Sequence, residues 1–340
     1  MKTVVISGPG NLEIIEKPKP QPAPGEILVK VDYCGICGSD LHAFHTGFLQ
    51  PDLTIGHEFS GVVAEVGPNC GNWFPGERVT GNNIIACGSC SFCLEGTENR
   101  CSDMCRLGIT GPGAMAEYIL LPARGLFKLP EHTPLEQAAL AEPLSVGLHA
   151  INKVDPVAFE NALVIGAGTI GLIVLTLLKQ RGIKTLIVAE PNPDRAAVAK
   201  TMGATAIIDP GKGDPESEIN RLTANRGASL VFECAGLPST IQDACSLAAA
   251  GSPVVILSIC YQTVGINFLS LVMREIEIKT AFGKTRAEFE EAVRLIGEGI
   301  LDLTPLISRI IPLRSVKEGF LPSNRGDIKT LVAFSERNNT

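Results

Sequence analysis

The chain has no block of lysine and arginine long enough to line a phosphate backbone. Its formal net charge of -7 points the same way, so neither nucleic acid nor an anionic membrane surface is an expected partner. It also lacks an unbroken apolar run of membrane-spanning length. The greasiest stretch, 162–178, is shorter than a bilayer needs and is interrupted by Gly166, Gly168 and Gly171. Met1-Lys2 leads into no apolar signal core and no small-residue cleavage site, so a cytoplasmic location is expected. No repeat of solenoid period is visible. What is present is a globular composition, 45% hydrophobic and 19% charged over 340 residues, which is long enough for two domains.

Cysteine is abundant by contrast. Eleven occur, an odd number that argues against a complete disulfide framework. In a reducing compartment, clustered cysteines are more often metal ligands or catalytic groups. Cys87, Cys90, Cys93 and Cys101 form C-x2-C-x2-C-x7-C. That spacing wraps four thiolates round a tetrahedral metal and leaves no open position, so a structural zinc is expected in a lobe spanning about residues 86–105. An iron–sulfur cluster or a redox pair stays open on spacing alone. Cys105 is close enough in sequence to compete with Cys101 as fourth ligand. Cys34, Cys70, Cys105, Cys234, Cys245 and Cys260 are expected mostly as small buried hydrophobes.

The first third of the chain is rich in Gly and Pro, with short alternating runs such as 59–66, and reads as a β-rich domain. The rhythm changes near Pro143. Apolar strand candidates at 162–166, 185–190, 205–209, 229–233, 253–258 and 275–281 then alternate with helix-length segments, which implies a parallel doubly wound sheet. One helical segment at 286–299 and a strand-like piece at 329–333 follow. This tail exceeds a six-strand sheet and is expected to fold back on the N-terminal domain.

Leu163-Val164-Ile165 runs into Gly166-Ala167-Gly168-Thr169-Ile170-Gly171 and an apolar helix. This is GxGxxG after a strand and at the start of a helix, the context that a dinucleotide pyrophosphate requires. Glu190 ends the next strand about twenty residues on, where a carboxylate accepts from the adenosine ribose and repels a 2′-phosphate. NAD is therefore favoured over NADP. Arg195 keeps NADP in view, because a nearby arginine can accept that phosphate.

A second reactive set lies earlier. Cys37-Gly38-Ser39-Asp40-Leu41-His42 and Gly56-His57-Glu58 supply a thiolate, imidazoles and carboxylates, and Glu142-Pro143-Leu144 follows. A catalytic zinc needs three protein ligands and one open position. The stretch 56–70, GHEFSGVVAEVGPNC, has the pattern G-H-E-x2-G-x5-G-x2-C. With the four-cysteine lobe and the GAGTIG loop in order, the chain resembles the zinc-containing medium-chain dehydrogenase/reductase family over nearly its whole length.

That resemblance implies an α/β plus β fold. A GroES-like catalytic domain would take residues 1–143 and 283–340, and an inserted Rossmann NAD-binding domain 144–282. It implies two zincs per subunit, NAD as cofactor, and a small secondary alcohol as substrate. It also implies a homodimer or homotetramer joined partly through Rossmann-sheet edges. Cys37 and His57 match the first two catalytic zinc ligands. Glu142 stands where alcohol dehydrogenases proper have a cysteine, as in the sorbitol, butanediol and threonine dehydrogenase branch, and is expected to bind zinc directly or through water; Glu58 lies close to the metal, as a competing ligand or a support for His57. Asp40 would orient His57. Ser39 would accept the substrate proton and pass it through the nicotinamide ribose to His42. Ala43, followed by Phe44, stands where sorbitol dehydrogenases carry a tyrosine, and Ala281-Phe282-Gly283-Lys284-Thr285 replaces their Arg-Tyr pair, with Lys284 either against substrate hydroxyls or a phosphate or, the commoner state of a lysine, in solvent. Polyols, diols, sugar alcohols with or without phosphate, cyclitols and L-threonine remain as substrates. The rival classes are a zinc-free quinone or enone reductase and a non-catalytic NAD-binding sensor.

Overall fold

The computed structural model describes residues 1–321 and 326–335; residues 322–325 and 336–340, part of the expected domain 283–340, lie outside the described residues. The chain forms two compact units. Among the described residues, the first takes Met1–Ser145, 284–321 and 329–335, and the second takes Val146–Gly283 and 326–328. The segment 326–328 thus groups with the second unit, although it interrupts a stretch expected to belong to the first. Its backbone explains this. Arg195 donates to the carbonyls of Gly326 (3.2 Å) and Asp327 (2.9 Å), and Thr169 Oγ1 donates to that of Ile328 (2.9 Å).

In the first unit, strands β1 (Glu26–Gly35), β2 (Glu58–Val66), β3 (Arg78–Gly81), β4 (Tyr118–Pro122) and β5 (Leu126–Lys128) build a mostly antiparallel sheet. β1 is dense in β-branched and aliphatic residues, and Ile27, Leu28, Val29 and Val31 are fully buried in it. The antiparallel register of β1 and β2 sets Gly35 opposite Glu58 and Cys34 opposite Phe59. It therefore brings Cys37, just beyond β1, and His57, just before β2, to one end of the ladder. There the chain turns into α1 (Gly38–Thr46), with Cys37 at its N-cap position and Asp40 Oδ2 accepting from the Cys37 amide at 2.9 Å. Helix α2 (Ala141–Ile151) carries Glu142 in its first turn.

In the second unit, β6 (Asn161–Ile165), β7 (Thr185–Ala189), β8 (Ala206–Ile208), β9 (Val231–Glu233), β10 (Pro253–Ile256) and β11 (Glu277–Thr280) are all parallel, in the order β8-β7-β6-β9-β10-β11. Every residue of β6 is buried, as a strand covered on both faces requires. The strand order reverses between β6 and β9, the switch point where open α/β sheets take ligands. The crossovers include α3 (Thr169–Gln180) and α4 (Pro193–Met202). A short helix, α5 (Phe268–Arg274), precedes β11. Glu275 ends it in the left-handed region, φ 52°, so the strand starts two residues later than its apolar pattern suggested.

The tail returns to the first sheet. β13 (Lys329–Ala333) pairs antiparallel with β1, with Leu331 opposite Gly35, and β12 (Ile307–Pro312) lies parallel beside β13. The completed sheet has seven strands in the order β12-β13-β1-β2-β3-β5, with β4 also on β1. This register carries Lys329 to the end of β1 where Cys37 and His57 lie. No helix among the described residues is long and apolar enough to cross a membrane.

Candidate metal and cofactor sites

Ligand atoms of Cys37, His57 and Glu58 lie within 4.8 Å of one another. His57 and Glu58 are buried, and Cys37 is half-buried. His57 Nδ1 is buried without a hydrogen-bond partner, an orphaned polar atom of the kind a metal-free ligand set leaves behind. Asp40 Oδ1 lies 3.9 Å from it, too far for a hydrogen bond, and the other oxygen of Asp40 bonds the Cys37 amide instead. The expected support of His57 by Asp40 is therefore an ion-pair contact rather than a hydrogen bond, and Asp40 also fixes the backbone that carries Cys37. Burial opposes charge on the imidazole, yet Asp40, Cys37 and Glu142 outweigh it and push His57 up to about 10.

Two lysines enclose this set. Lys329 Nζ donates to both oxygens of Glu58, at 2.8 and 2.6 Å, and to the Ile36 carbonyl at 2.9 Å, which uses all three of its protons. Lys284 is the clear correction to the sequence reading. It is buried, not solvated, and its ammonium bonds Glu142 Oε1 and Asn83 Oδ1 (2.6 Å) and lies over the Phe289 ring. Burial raises the Glu142 carboxyl, but Lys284 and then His57 hold it below the ordinary carboxylate range. Glu142 is not among the three residues whose ligand atoms converge most tightly, although its charge is felt at His57. A Cys37 thiolate with Asp40, Glu58 and Glu142 places four negative charges against the two lysines. A divalent cation closes that difference with His57 neutral, so the donor set fits zinc.

Lys329 and Asn83 escaped the sequence reading. A lysine opening an otherwise apolar strand, Lys329-Thr330-Leu331-Val332-Ala333, was the available signal for the first. Asn83 carried none. Ser39 and His42 lie three residues apart on α1 and so share a face, both half-buried, with the His42 ring 5.7 Å from that of Phe48. His45 is exposed.

In the lobe, Cys87, Cys90, Cys93 and Cys101 converge, and Cys105 does not join them. Sulfur separations of 3.8 Å (Cys87–Cys93) and 3.5 Å (Cys90–Cys93) approach the about 3.8 Å edge of a tetrahedron with zinc–sulfur bonds of about 2.3 Å. Amides of Cys87, Gly88 and Ser89 point at the sulfurs of Cys101, Cys93 and Cys87 at 3.4, 3.4 and 3.5 Å. Hydrogen bonds from Ser89 and Cys90 bring the Cys87 thiol down to about 6, into the range where a thiolate forms at neutral pH.

In the second unit, Gly166 takes φ 95° at the turn out of β6, and Gly168 opens α3. A Cβ on Gly171 would stand 1.9 Å from the Gly166 carbonyl oxygen, so only glycine lets the helix approach this closely. Thr169 and Ile170 occupy the first turn of α3. Glu190 is buried at the end of β7, its oxygens accepting from the amides of Ala167 (2.7 Å) and Asn192 (2.8 Å). Beside it, a groove of about 500 Å³ is lined by Pro191, Pro193, Lys200, Asp209 and Lys212. Arg195 is turned to the backbone of Gly326 and Asp327 rather than into solvent at the β7 end.

A GroES-like sheet with convergent thiolate, imidazole and carboxylate groups, together with a glycine-loop Rossmann sheet, defines a zinc-binding dehydrogenase. Residues 23–131 match the alcohol dehydrogenase GroES-like domain and residues 169–298 the zinc-binding dehydrogenase family. The (R,R)-butanediol dehydrogenase of Neisseria gonorrhoeae (strain ATCC 700825 / FA 1090) is 34% identical, covering 98% of this chain and 99% of its own. The L-threonine 3-dehydrogenase of Bacillus velezensis (strain DSM 23117 / BGSC 10A6 / LMG 26770 / FZB42) is 32% identical over 93% of each. The crystal structure of a zinc-binding dehydrogenase from Sinorhizobium meliloti 1021 bound to NADP superimposes with a TM-score of 0.92 at 33% identity, covering 98% of this chain and 99% of that one. The chain belongs to the zinc-containing medium-chain dehydrogenase/reductase family, whose members of this alcohol dehydrogenase kind are oxidoreductases acting on CH–OH groups.

Proposed function

We propose that this protein oxidises a secondary alcohol in a diol, polyol or sugar alcohol, phosphorylated or not, to the ketone, with NAD as acceptor, one catalytic zinc and one structural zinc. The observation that carries the reading is the convergence of Cys37, His57 and Glu58 ligand atoms within 4.8 Å of one another in a pocket short of two positive charges. Cys37 and His57 would hold the catalytic metal, with Glu142 and Glu58 as its neighbouring carboxylates, and Cys87, Cys90, Cys93 and Cys101 the structural one. When bound, zinc supplies Lewis acidity that lowers the pKa of a substrate hydroxyl, and NAD supplies the hydride acceptor.

The chain's own residues do the rest. Cys37 stands at the N-cap position of α1, which fixes its sulfur beside His57. Ser39 Oγ, in the first turn of α1, takes the hydroxyl proton, since a serine hydroxyl both accepts and donates. His42, on the same helix face, passes that proton on toward solvent, since an imidazole both accepts and donates a proton. Gly166, Gly168, Thr169, Ile170 and Gly171 seat the pyrophosphate on the α3 N-terminus. Glu190 accepts from the adenosine ribose and disfavours a 2′-phosphate. The engagement of Arg195 with backbone carbonyls supports NAD over NADP, and Lys200 in the adjoining groove makes the NADP control necessary.

The protein acts as a homodimer or larger assembly in this reading. β11 ends the described sheet order, and α5 beside it in sequence exposes Phe268, Leu269, Val272 and Met273. An open strand edge with an apolar neighbour is a template for a second copy. Sedimentation of the wild type and of Val272→Lys tests it, with a shift to monomer expected in the variant.

The deciding experiment is a panel of diols, polyols, polyol phosphates, cyclitols and L-threonine, followed by NADH absorbance with NADP as control, on protein whose metal content is counted. Turnover of a diol or polyol with NAD and two zincs per chain is expected. Cofactor binding with no turnover of any alcohol would overturn the enzyme reading in favour of a sensor, and turnover of L-threonine alone would move the substrate to that branch.

A further inference from the structure

Lys284 and Glu142 make a buried contact that the proposed chemistry above does not use. Lys284 is enclosed by three groups, Glu142 Oε1, Asn83 Oδ1 at 2.6 Å and the Phe289 ring, and is inaccessible to a substrate. It therefore acts through Glu142. The two carboxylates near Cys37 and His57 are held differently. Lys329 occupies both oxygens of Glu58, whereas Lys284 occupies one oxygen of Glu142, and no hydrogen bond among the described residues involves Glu142 Oε2. Resting on the zinc reading above, we propose that Lys284 is a positioning residue that withholds Oε1 of Glu142 from the metal and so restricts this carboxylate to one oxygen.

The consequence is chemical. A carboxylate that gives both oxygens donates more charge to a metal and fills more of its coordination sphere. A carboxylate shared with an ammonium is a weaker, one-point donor. The metal then keeps an open position and its acidity toward a substrate hydroxyl, both of which a catalytic zinc requires. Asn83 Oδ1 also holds the lysine, and the backbone carbonyl of Asn83 accepts from the Leu107 amide at 2.9 Å, which fixes the main chain at this residue. A neutral residue at 284 would free both carboxylate oxygens.

The test replaces the catalytic zinc with cobalt in holoenzyme that retains its four-thiolate zinc, one of each metal per chain, and records the visible d–d absorption. Four-coordinate cobalt absorbs more strongly than five-coordinate cobalt. Lys284→Met should lose d–d intensity as the second oxygen enters, and Lys284→Met/Glu142→Gln should recover it. Lys284→Arg, which keeps a cation at Oε1, should retain the wild-type spectrum. Lys284→Gln is the milder neutral variant should methionine prevent folding, and it should show a partial loss. An unchanged spectrum in the foldable neutral variant, or a loss that Glu142→Gln does not reverse, overturns the proposal. Absence of any thiolate-to-cobalt band in the wild type overturns the catalytic metal site as well, which separates failure of this inference from failure of the reading beneath it.

Discussion

Lys329 Nζ lies 2.8 and 2.6 Å from the two oxygens of Glu58, both side chains buried and 271 residues apart in the chain. The contact ties the last described strand, β13, to the start of β2, with β1 between them. A buried ion pair adds little over a well-packed apolar pair, but removing one partner strands a charge. Lys329→Met should therefore destabilise the protein by about 3–5 kcal/mol. Lys329→Met/Glu58→Leu should restore most of that loss. Urea unfolding of the two variants checks both values. If the single variant is as stable as the wild type, Glu58 takes a proton or another partner and the pair is not what secures the C-terminal return.

The four-cysteine lobe should depend on its metal. Structural zinc in small metal-binding peptides is worth about 10–16 kcal/mol of apparent binding energy. Here the lobe from Cys87 to Cys101 contains little else to hold it, since its short helix at Ser91–Leu94 buries no residue. Cys93→Ser removes the sulfur that contacts Cys87, Cys90 and the Gly88 amide. Metal content should fall from two zincs to one, and limited proteolysis should cut within 87–101 while the rest of the chain survives. Retention of two zincs in that variant would place the fourth ligand elsewhere.

The parts legible in the sequence were those carried by short-range spacing. C-x2-C-x2-C, GxGxxG after an apolar strand, and Glu190 at the end of the next strand each describe one local turn, and the chain folds them as written. The doubly wound sheet was legible because buried parallel strands read as continuous apolar runs. The lysines were not legible. Lys284 and Lys329 reach their carboxylates across 142 and 271 residues, and neither neighbourhood announces a buried cation. An isolated lysine is ordinarily exposed, so its burial follows only from where the acids lie. Asp40 reaches His57 only at ion-pair distance for a related reason. Its spacing from Cys37 fits the helix cap, and that local bond took the carboxylate that His57 was expected to use.

Ser39 separates proton transfer from metal binding. It follows Cys37 by two residues in the first turn of α1, and a neutral serine hydroxyl is not among the side chains that ordinarily bind zinc. Ser39→Ala should lower turnover by about 10²–10⁴, the range typical of losing a general acid or base, with zinc content unchanged. His42→Ala should cost less, and added imidazole should recover part of the rate. Loss of zinc from Ser39→Ala would sink the relay assignment, because the residue would then be holding the metal site together.

Glu190 combines two effects that different substitutions separate. Its oxygens accept from the Ala167 and Asn192 amides, which fixes the glycine loop and the start of α4, and in the proposed NAD site its charge would face a 2′-phosphate. Glu190→Gln keeps one acceptor oxygen and removes the charge. It should raise kcat/KM for NADP while changing that for NAD only slightly. Glu190→Ala removes the ribose acceptor as well and should raise KM for NAD by about tenfold or more, the value of one hydrogen bond to a charged group. kcat should hold in both, since the adenosine ribose is remote from the reacting carbon of the cofactor. The measurement is the ratio of kcat/KM for NAD and NADP across the three proteins. An unchanged ratio in Glu190→Gln would show that the carboxylate's charge does not set cofactor choice, and would turn attention to Lys200 and Lys212 in the neighbouring groove.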